Sequence, residues 1–499
     1  MGCMGGMGAA GLAAVGLTLG AWLVWWLVRN VRAAWLPVLL TYFAYGASGV
    51  TGIAITFFQK DSLGLQPADA ARIAFWLGLP WGMKMVAGVA TDHYPLLGER
   101  RRPYLLLGAA CSLAGYALLA TTVATPGGYL GAMLLVTVGF MVQDVVADAL
   151  SVEIAADDHE VKQIQTLGRT FLLGGMITAG GKVGGWLAGA LGSRSVFAIA
   201  MALPVLVAVA ALFVRNRRAL QATPDAGPLA GRNAWIIMAV GLAYVAFGAG
   251  LELFAVPRAQ ELVLAVSAGL IGFLLRRVGI TRAVLVAALV IFLFRATPSA
   301  GQGYTYWAID GLGFDQDFLG WLAQVGAVLS FVGLLVFRRT ITERPVSFTL
   351  LWVTLAATVL YLPNIGLFYG LHDWLGISAR SLALIDATVS APLGQLMMVP
   401  MLVLIARTAP RGAEATMFAV MASLMNLALS ASELFTRYLT EHFAVTQQDY
   451  SRLGQLMVVV LAVNLLPLLA LAPLRRAEAA LELAPSRRAE VEPPGPSGT

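Results

Sequence analysis

The sequence has little charge, little cysteine and little histidine, and each shortage excludes a class of protein. Charged residues occupy 12% of the 499 positions, whereas 59% are hydrophobic and the mean hydropathy is +0.78. Because a soluble domain needs far more charge to cover its surface, lipid must be the main solvent of this chain. Two cysteines and four scattered histidines form no disulfide framework or metal-ligand spacing. No nucleophile–base set or phosphate-cradling glycine loop indicates an enzyme, so we expect a membrane protein without catalytic activity, cofactor or metal.

Long apolar runs recur along the chain, separated by glycine, proline and charge. A helical span needs about 20 apolar residues, and in lipid each helix satisfies its own backbone hydrogen bonds. We therefore predict an all-α polytopic membrane protein with about fourteen spans. The runs are 34–58, 70–91, 103–123, 127–152, 165–191, 194–214, 234–254, 258–276, 281–300, 318–337, 346–370, 382–406, 412–440 and 453–474. A further run at 9–28 is either an extra span or an interfacial helix, and the residues leave both interpretations open.

The distribution of basic residues predicts how the chain is oriented. The net charge of +6 comes from Lys and Arg in short loops between apolar runs, which argues against a nucleic-acid partner. Most of these residues fall in alternate loops, and the positive-inside rule places such loops in the cytoplasm. Both ends of the core are therefore expected to be cytoplasmic, in a bacterial inner membrane.

The order of the spans predicts two bundles. Six spans, a basic linker and a later set of six form the layout of an alternating-access transporter, for which we expect a monomer. The predicted parts are an apolar extension at 1–32, a six-helix bundle at 33–214, a cytoplasmic linker at 215–233, an inserted helical hairpin at 234–280, a second six-helix bundle at 281–474 and a disordered tail at 475–499.

Several motifs make this layout more specific. They read Pro80-Trp81-Gly82-Met83-Lys84, Gly88-Val-Ala-Thr-Asp92-His93, Gly98-Glu-Arg100-Arg101-Arg102-Pro103-Tyr104, Gln143-Asp144-Val-Val-Ala-Asp148-Ala-Leu-Ser-Val-Glu153, Phe294-Arg295-Ala-Thr297-Pro298-Ser299 and the stretch 409–416. With these motifs the chain resembles the major facilitator superfamily and, within it, the folate-biopterin transporter family, from about residue 35 to 474 apart from the hairpin. The resemblance implies the major facilitator fold and movement of folates and pterins coupled to protons.

The motif between the second and third spans predicts a gate. We assign gating to Gly88, Asp92, Arg101, Arg102 and Glu153. A carboxylate at a cytoplasmic helix end can pair with basic groups or cap a neighbouring helix. Such contacts would latch the two bundles in one conformation.

Two acidic residues in the fourth span are candidates for proton coupling. Asp144 and Asp148 are four residues apart and lie on one helix face. An ionisable group inside a span costs at least about 2.5–3.5 kcal/mol and needs a partner or a hydrated path. We assign proton coupling to both, with Lys84 balancing their charge. The alternative is a structural ion pair between Asp148 and Lys84.

Embedded cations are candidates for binding an anionic substrate. We assign substrate binding to Arg295, Lys182, Lys84 and Tyr304. The planar guanidinium of Arg295 matches a carboxylate, although it would also suit an ion pair with Glu433. Tyr304, beside the Pro-containing break of its span, could stack on a flat ring.

These observations predict a secondary active transporter of organic anions. An exporter of amphipathic drugs would need a cavity with few cations, and the embedded cations argue against it. Following the resemblance, we expect a folate or pterin as substrate and proton symport as the energy source. A major facilitator protein that handles pigment, lipid or drug-like amphipaths, and a non-transporting membrane assembly factor, are the alternatives that the residues leave open.

Overall fold

The computed structural model describes residues 31–214, 232–278, 281–393, 396–408, 414–476 and 478. The run at 9–28, most of the predicted linker and nearly all of the predicted tail lie outside the described residues. Helices of the first half begin after Trp35. They are α1 (Leu36–Ala47), α2 (Gly52–Phe57), α3 (Pro67–Gly82), α4 (Lys84–His93), α5 (Arg102–Thr121), α6 (Pro126–Glu153), α7 (Asp158–Ala179), α8 (Gly181–Leu191), α9 (Ser193–Ala200) and α10 (Ala202–Ala211).

The second half starts with the hairpin and continues as a second bundle. The hairpin helices are α11 (Arg232–Leu253) and α12 (Ala259–Val278). The bundle consists of α13 (Arg282–Arg295), α14 (Gly301–Leu312), α15 (Gln316–Glu343), α16 (Val346–Phe368), α17 (Leu371–Trp374), α18 (Ala379–Ser390), α19 (Met398–Thr408), α20 (Glu414–His442) and α21 (Leu453–Val463).

Twelve helical segments of the described residues are long and apolar enough to cross a membrane. Two further segments, α7 with α8 and α13 with α14, are interrupted and are not among the twelve. The all-helical membrane fold predicted from the sequence is thus confirmed, whereas the count of fourteen spans stays a prediction. The run predicted at 281–300 also continues beyond residue 300, because α14 follows the break at the end of α13.

Local chemistry explains where helices begin and break. At the start of α6 the Thr125 hydroxyl accepts a hydrogen bond from the Gly128 N–H at 3.2 Å, and Asp157 caps α7 through the Glu160 N–H at 2.8 Å. Pro80 lies inside α3 and removes the N–H that would bond to the Trp76 carbonyl oxygen. α3 ends two residues later, and Lys84 is the first residue of α4.

The most extensive contacts between the bundles are those of α3 with α20 and of α8 with α15. Glycine permits the second contact, since a Cβ on Gly185 would lie 2.3 Å from the Gln316 carbonyl oxygen and one on Gly181 would lie 2.6 Å from the Gln324 nitrogen. In the hairpin, α11 packs on α4 of the first bundle and α12 packs on α20 of the second. The hairpin therefore covers the seam between α3 and α20 from outside.

Candidate functional site

A cluster of charged side chains lies between α4 and α6. The ammonium of Lys84 contacts the Asp144 carboxylate, and its Nζ lies 4.0 Å from Asp148 Oδ2. The two carboxylates are one helical turn apart, so a single cation reaches both. The structure brings together the three residues to which the sequence assigns proton coupling and its charge balance.

The two carboxylates differ in their surroundings. The Asp144 side chain is 8% exposed, whereas the side chains of Asp148 and Lys84 are 43% and 36% exposed. Asp148 also accepts a hydrogen bond from the Tyr42 hydroxyl of α1. Asp148 and Lys84 thus keep exposed surface within spans, where a charge needs a partner or a hydrated path, whereas Asp144 is nearly buried.

Aromatic rings and a further cation surround the cluster. The Lys84 Nζ lies 5.3 Å from the ring centroid of Trp81, which in turn packs against Tyr45 at 5.5 Å. On the other side, the Arg169 guanidinium lies 5.5 Å from the Tyr42 ring centroid. Sequence analysis missed Tyr42 and Arg169 as site residues. An arginine within the apolar run at 165–191 was the available signal for Arg169.

Lys182 lies at the seam between the bundles and not in this cluster. Its Nζ is 4.1 Å from the ring centroid of Trp321 on α15, a cation–π contact. Its backbone N–H donates to Gln324 Oε1 at 3.4 Å, and Gln324 Nε2 donates to the Ile177 carbonyl oxygen at 3.0 Å. Lys182 thus helps to join α8 to α15, and its predicted contact with substrate stays a prediction.

Arg295 is the last residue of α13, and its guanidinium has no ion pair with the residues that the structure describes. Its Nε donates to the Met425 carbonyl oxygen of α20 at 3.3 Å. Within the described residues no carboxylate, Glu433 included, lies within 4.0 Å of its nitrogens. The guanidinium therefore keeps donors that could bind an anion. The next residue of α20, Asn426, donates to the Trp81 carbonyl oxygen at 3.0 Å, so α20 contacts both Arg295 and the helix break before Lys84.

Tyr304 lies inside the second bundle, apart from the charged cluster. Its hydroxyl donates to Asn364 Oδ1 at 2.8 Å, and Asn364 Nδ2 donates to Asp386 Oδ2 at 2.9 Å. The ring packs against Trp307 at 5.6 Å between centroids. These contacts join α14, α16 and α18.

Three of the predicted gating residues form one network. Arg101 donates to Glu153 Oε1 at 2.8 and 2.5 Å, to Asp92 Oδ1 at 2.6 Å and to the Thr91 hydroxyl at 2.9 Å. Burial lowers the pKa of the Arg101 guanidinium, but the bonds with Glu153 and then Asp92 outweigh it and raise the pKa above its ordinary value. These bonds connect α4, α6 and the segment before α5, all of them in the first bundle.

The other two predicted gating residues lie beside this network. A Cβ on Gly88 would come no closer than 4.0 Å to the Val145 side chain, so α4 has room against α6 at this point. Arg102 is the first residue of α5. A latch between the two bundles at this end stays a prediction.

Ion pairs and hydrogen bonds close the end of the molecule opposite the basic loops. Lys60 Nζ lies 2.7 Å from Asp310 Oδ1, and the Tyr450 hydroxyl donates to Asp310 Oδ2 at 2.7 Å. Gln447 Nε2 donates to the Leu65 carbonyl oxygen at 2.7 Å. Each bundle contributes to these contacts, which sequence analysis missed because no local pattern indicates which loops meet.

Comparisons with known proteins agree with this architecture. A family model described as the BT1 family matches residues 46–482. A folate-biopterin transporter of Synechocystis is 31% identical over 438 residues, which cover 87% of this chain and 80% of the relative. Folate transporter 1 of Plasmodium falciparum is 21% identical over 428 residues, which cover 85% and 76%.

Solved structures share the fold at lower identity. A POT family transporter in complex with 5-aminolevulinic acid is similar with a TM-score of 0.64 at 13% identity, over 88% of this chain and 96% of that one. A nucleoside transporter is similar with a TM-score of 0.61 at 11% identity, over 88% and 99%. The major facilitator fold and the family predicted from the motifs are confirmed. Since the family model and the Synechocystis relative both cover most of its length, the chain belongs to the BT1 family, whose relatives are membrane transporters and not enzymes.

Proposed function

We propose that this protein is a secondary active transporter of folates and pterins that works by alternating access with proton symport in a bacterial inner membrane. The relatives named above as folate and folate-biopterin transporters support the substrate class. The unpaired guanidinium of Arg295 supports an anionic substrate, because folates carry carboxylates that a planar fork of N–H donors fits.

The observation that carries the coupling proposal is the contact of Lys84 with Asp144 beside Asp148. In the deprotonated form the two carboxylates hold the ammonium. When Asp144 takes up a proton, its attraction for Lys84 is lost, and the ammonium becomes free to turn toward a substrate carboxylate. Proton and anion binding would then favour each other, which is the thermodynamic requirement for symport.

The contacts between bundles support a direction in which this conformation opens. Lys60 with Asp310 closes the end away from the basic loops, whereas the Arg101 network stays within one bundle. If the basic loops are cytoplasmic, this conformation opens inward, and the transport cycle breaks the Lys60 contact while the bundles rock about the α3–α20 and α8–α15 seams.

Uptake into vesicles tests the proposal. Purified monomer in proteoliposomes should accumulate radiolabelled folate and biopterin when an inward-directed proton gradient is imposed, and a protonophore should abolish accumulation. Arg295→Gln should raise the KM for folate, while Arg452→Gln, at the outer end of α21, is the matched control. Accumulation that is insensitive to the protonophore would refute proton coupling, and an unchanged KM in Arg295→Gln would refute the binding role.

A further inference from the structure

A cavity of about 210 Å³ lies inside the second bundle, next to the break in its first span. Phe294 and Thr297 line it where α13 gives way to the non-helical residues 296–300. The remaining wall comes from α16, from Met397 just before α19 and from the last span. In transporters, interrupted spans occur where backbone lines a binding site, because irregular backbone is tolerated at membrane depth only beside a cavity or a protein neighbour.

Three polar atoms that line the cavity are buried without a hydrogen-bond partner in the described residues. They are Thr354 Oγ1, Tyr361 Oη and Asn464 Oδ1. Thr354 is only 5% exposed. Since the large majority of buried side-chain polar atoms are paired in folded proteins, three unpaired atoms around one cavity indicate that a polar partner enters it.

The neighbouring hydroxyl of Thr358 shows that not every hydroxyl in the cavity wall lacks a hydrogen-bond partner. Thr358 lies one turn after Thr354 on α16 and also lines the cavity. Its hydroxyl, however, donates to the Thr354 carbonyl oxygen at 2.8 Å. The two threonines thus form a natural pair, one with a satisfied hydroxyl and one without.

The size and lining of the cavity restrict its occupant. A cavity of about 150 Å³ admits benzene, so this one admits a fused pair of rings. Phe294 and Tyr361 supply aromatic surface, while Asn464 Oδ1 accepts from a hydrogen-bond donor such as an N–H and the hydroxyls of Thr354 and Tyr361 can donate or accept. These needs fit a flat heteroaromatic bicycle with ring nitrogens and an amino group along its edge.

We propose that the cavity binds the pteridine ring of the substrate and leaves the glutamate carboxylates of a folate to Arg295. Arg295 follows Phe294 on the same helix end, but its guanidinium is directed to Met425 of α20, so ring and carboxylates would occupy different sides of α13. This assignment rests on the proposed folate and pterin transport and goes further by separating ring recognition from charge recognition.

Three solutes separate the two parts of the site: folate, biopterin, which has the ring without glutamate, and p-aminobenzoylglutamate, which has the glutamate without the ring. For Thr354→Val we expect the KM of folate and biopterin uptake to rise about three- to tenfold, the loss from one neutral hydrogen bond. Inhibition by p-aminobenzoylglutamate should stay unchanged. Thr349→Val is the matched control and should leave all three unchanged, because this buried hydroxyl of α16 donates to the Pro345 carbonyl oxygen and does not line the cavity. Tyr361→Phe should resemble Thr354→Val.

A stability measurement separates binding from packing. Thr354→Val removes a hydroxyl that has no hydrogen-bond partner in the described part of the chain. The unfolding temperature of this variant without solute should therefore equal or exceed that of the wild type. Stabilisation by added biopterin should decrease.

If the wild type takes up folate and biopterin and both Thr354→Val and Tyr361→Phe do so with an unchanged KM, the cavity assignment is overturned and the transport proposal is left intact. Equal effects of Thr354→Val and Thr349→Val would overturn it as well. Wild-type vesicles that take up neither solute would refute the transport proposal itself, and this inference with it.

Discussion

The contact between Lys84 and Asp144 predicts a measurable coupling energy. Removing one partner of a fully buried ion pair costs about 3–5 kcal/mol. The Lys84 side chain is 36% exposed and retains Asp148 at 4.0 Å, so water and the second carboxylate reduce this figure. For Lys84→Met, which leaves the buried Asp144 carboxylate without its cation, we expect a loss of about 1–3 kcal/mol in the free energy of unfolding.

A double-mutant cycle isolates the interaction. Asp144→Asn alone should cost less than Lys84→Met, because Lys84 keeps Asp148 as a partner. The double variant Lys84→Met/Asp144→Asn should regain part of the loss, with a coupling energy of about 1–2 kcal/mol. Denaturant unfolding in detergent micelles, followed by tryptophan fluorescence, measures all three variants. Asp148→Asn is the control, since it removes the weaker contact with Lys84 and keeps the atoms near Tyr42.

Transport assays complete the same experiment. If Asp144 carries the proton, Asp144→Asn should lose accumulation driven by a proton gradient and retain exchange of labelled for unlabelled substrate. Free energies that add within about 0.5 kcal/mol, together with normal proton-driven accumulation in Asp144→Asn, would refute the reasoning. They would leave the ion pair without energetic or functional consequence.

Three further predictions concern the outer contacts. Asp310→Asn removes the 2.7 Å ion pair with Lys60 and should increase the outward-open population about fivefold to tenfold. Spin labels near Lys60 and near the outer end of α14 would then report a longer distance between them. An unchanged distance would contradict this role. Gly185→Ala would place a Cβ 2.3 Å from a backbone oxygen of α15 and should lower the free energy of unfolding by about 1–3 kcal/mol. Gly189→Ala, whose Cβ would make only an ordinary contact at 3.7 Å, is the control and should not lower it. Equal melting temperatures of the two variants would contradict a tightly packed seam. The Phe318 N–H, followed by the Arg380 guanidinium, holds the pKa of Asp315 below its ordinary value. The ionised Asp315 therefore stabilises the fold above the unfolded-state pKa of about 3.9, and this stabilisation is lost as pH falls through the folded-state pKa. The difference in melting temperature between wild type and Asp315→Asn should shrink from pH 7 to pH 3.

Residues that lipid would reject were the part of the site that the sequence could predict. Lys84, Asp144 and Asp148 stand out because charge inside a span needs compensation, and their spacing brings them to one place. Which carboxylate the lysine approaches more closely could not be predicted. The sequence alternative paired Lys84 with Asp148, and the Lys84 ammonium does lie 4.0 Å from that carboxylate, but its closer contact is with Asp144.

Contacts between residues of different helices could not be predicted from the sequence. Tyr42 is an ordinary aromatic residue of an apolar run until α1 places its hydroxyl on Asp148. Thr354 is equally inconspicuous, since hydroxyls in spans usually bond to their own helix, as Thr358 does. An unpaired atom is recognised only when every neighbour is known. The fold was more predictable, because apolar run length and loop charge are local quantities.

The two bundles carry different chemistry, and α20 is the element through which they can communicate. The first bundle holds carboxylates balanced by Lys84, and the second holds the unpaired Arg295. Met425 accepts from Arg295 while Asn426 donates to Trp81, whose ring covers the Lys84 ammonium. We infer that a change in the charge state of the Lys84 cluster reaches Arg295 by this route, since a shift of Trp81 alters the position of α20. Asn426→Leu should then keep folate exchange but transport fewer protons per substrate; an unaltered proton-to-folate ratio in this variant would show that the coupling travels elsewhere.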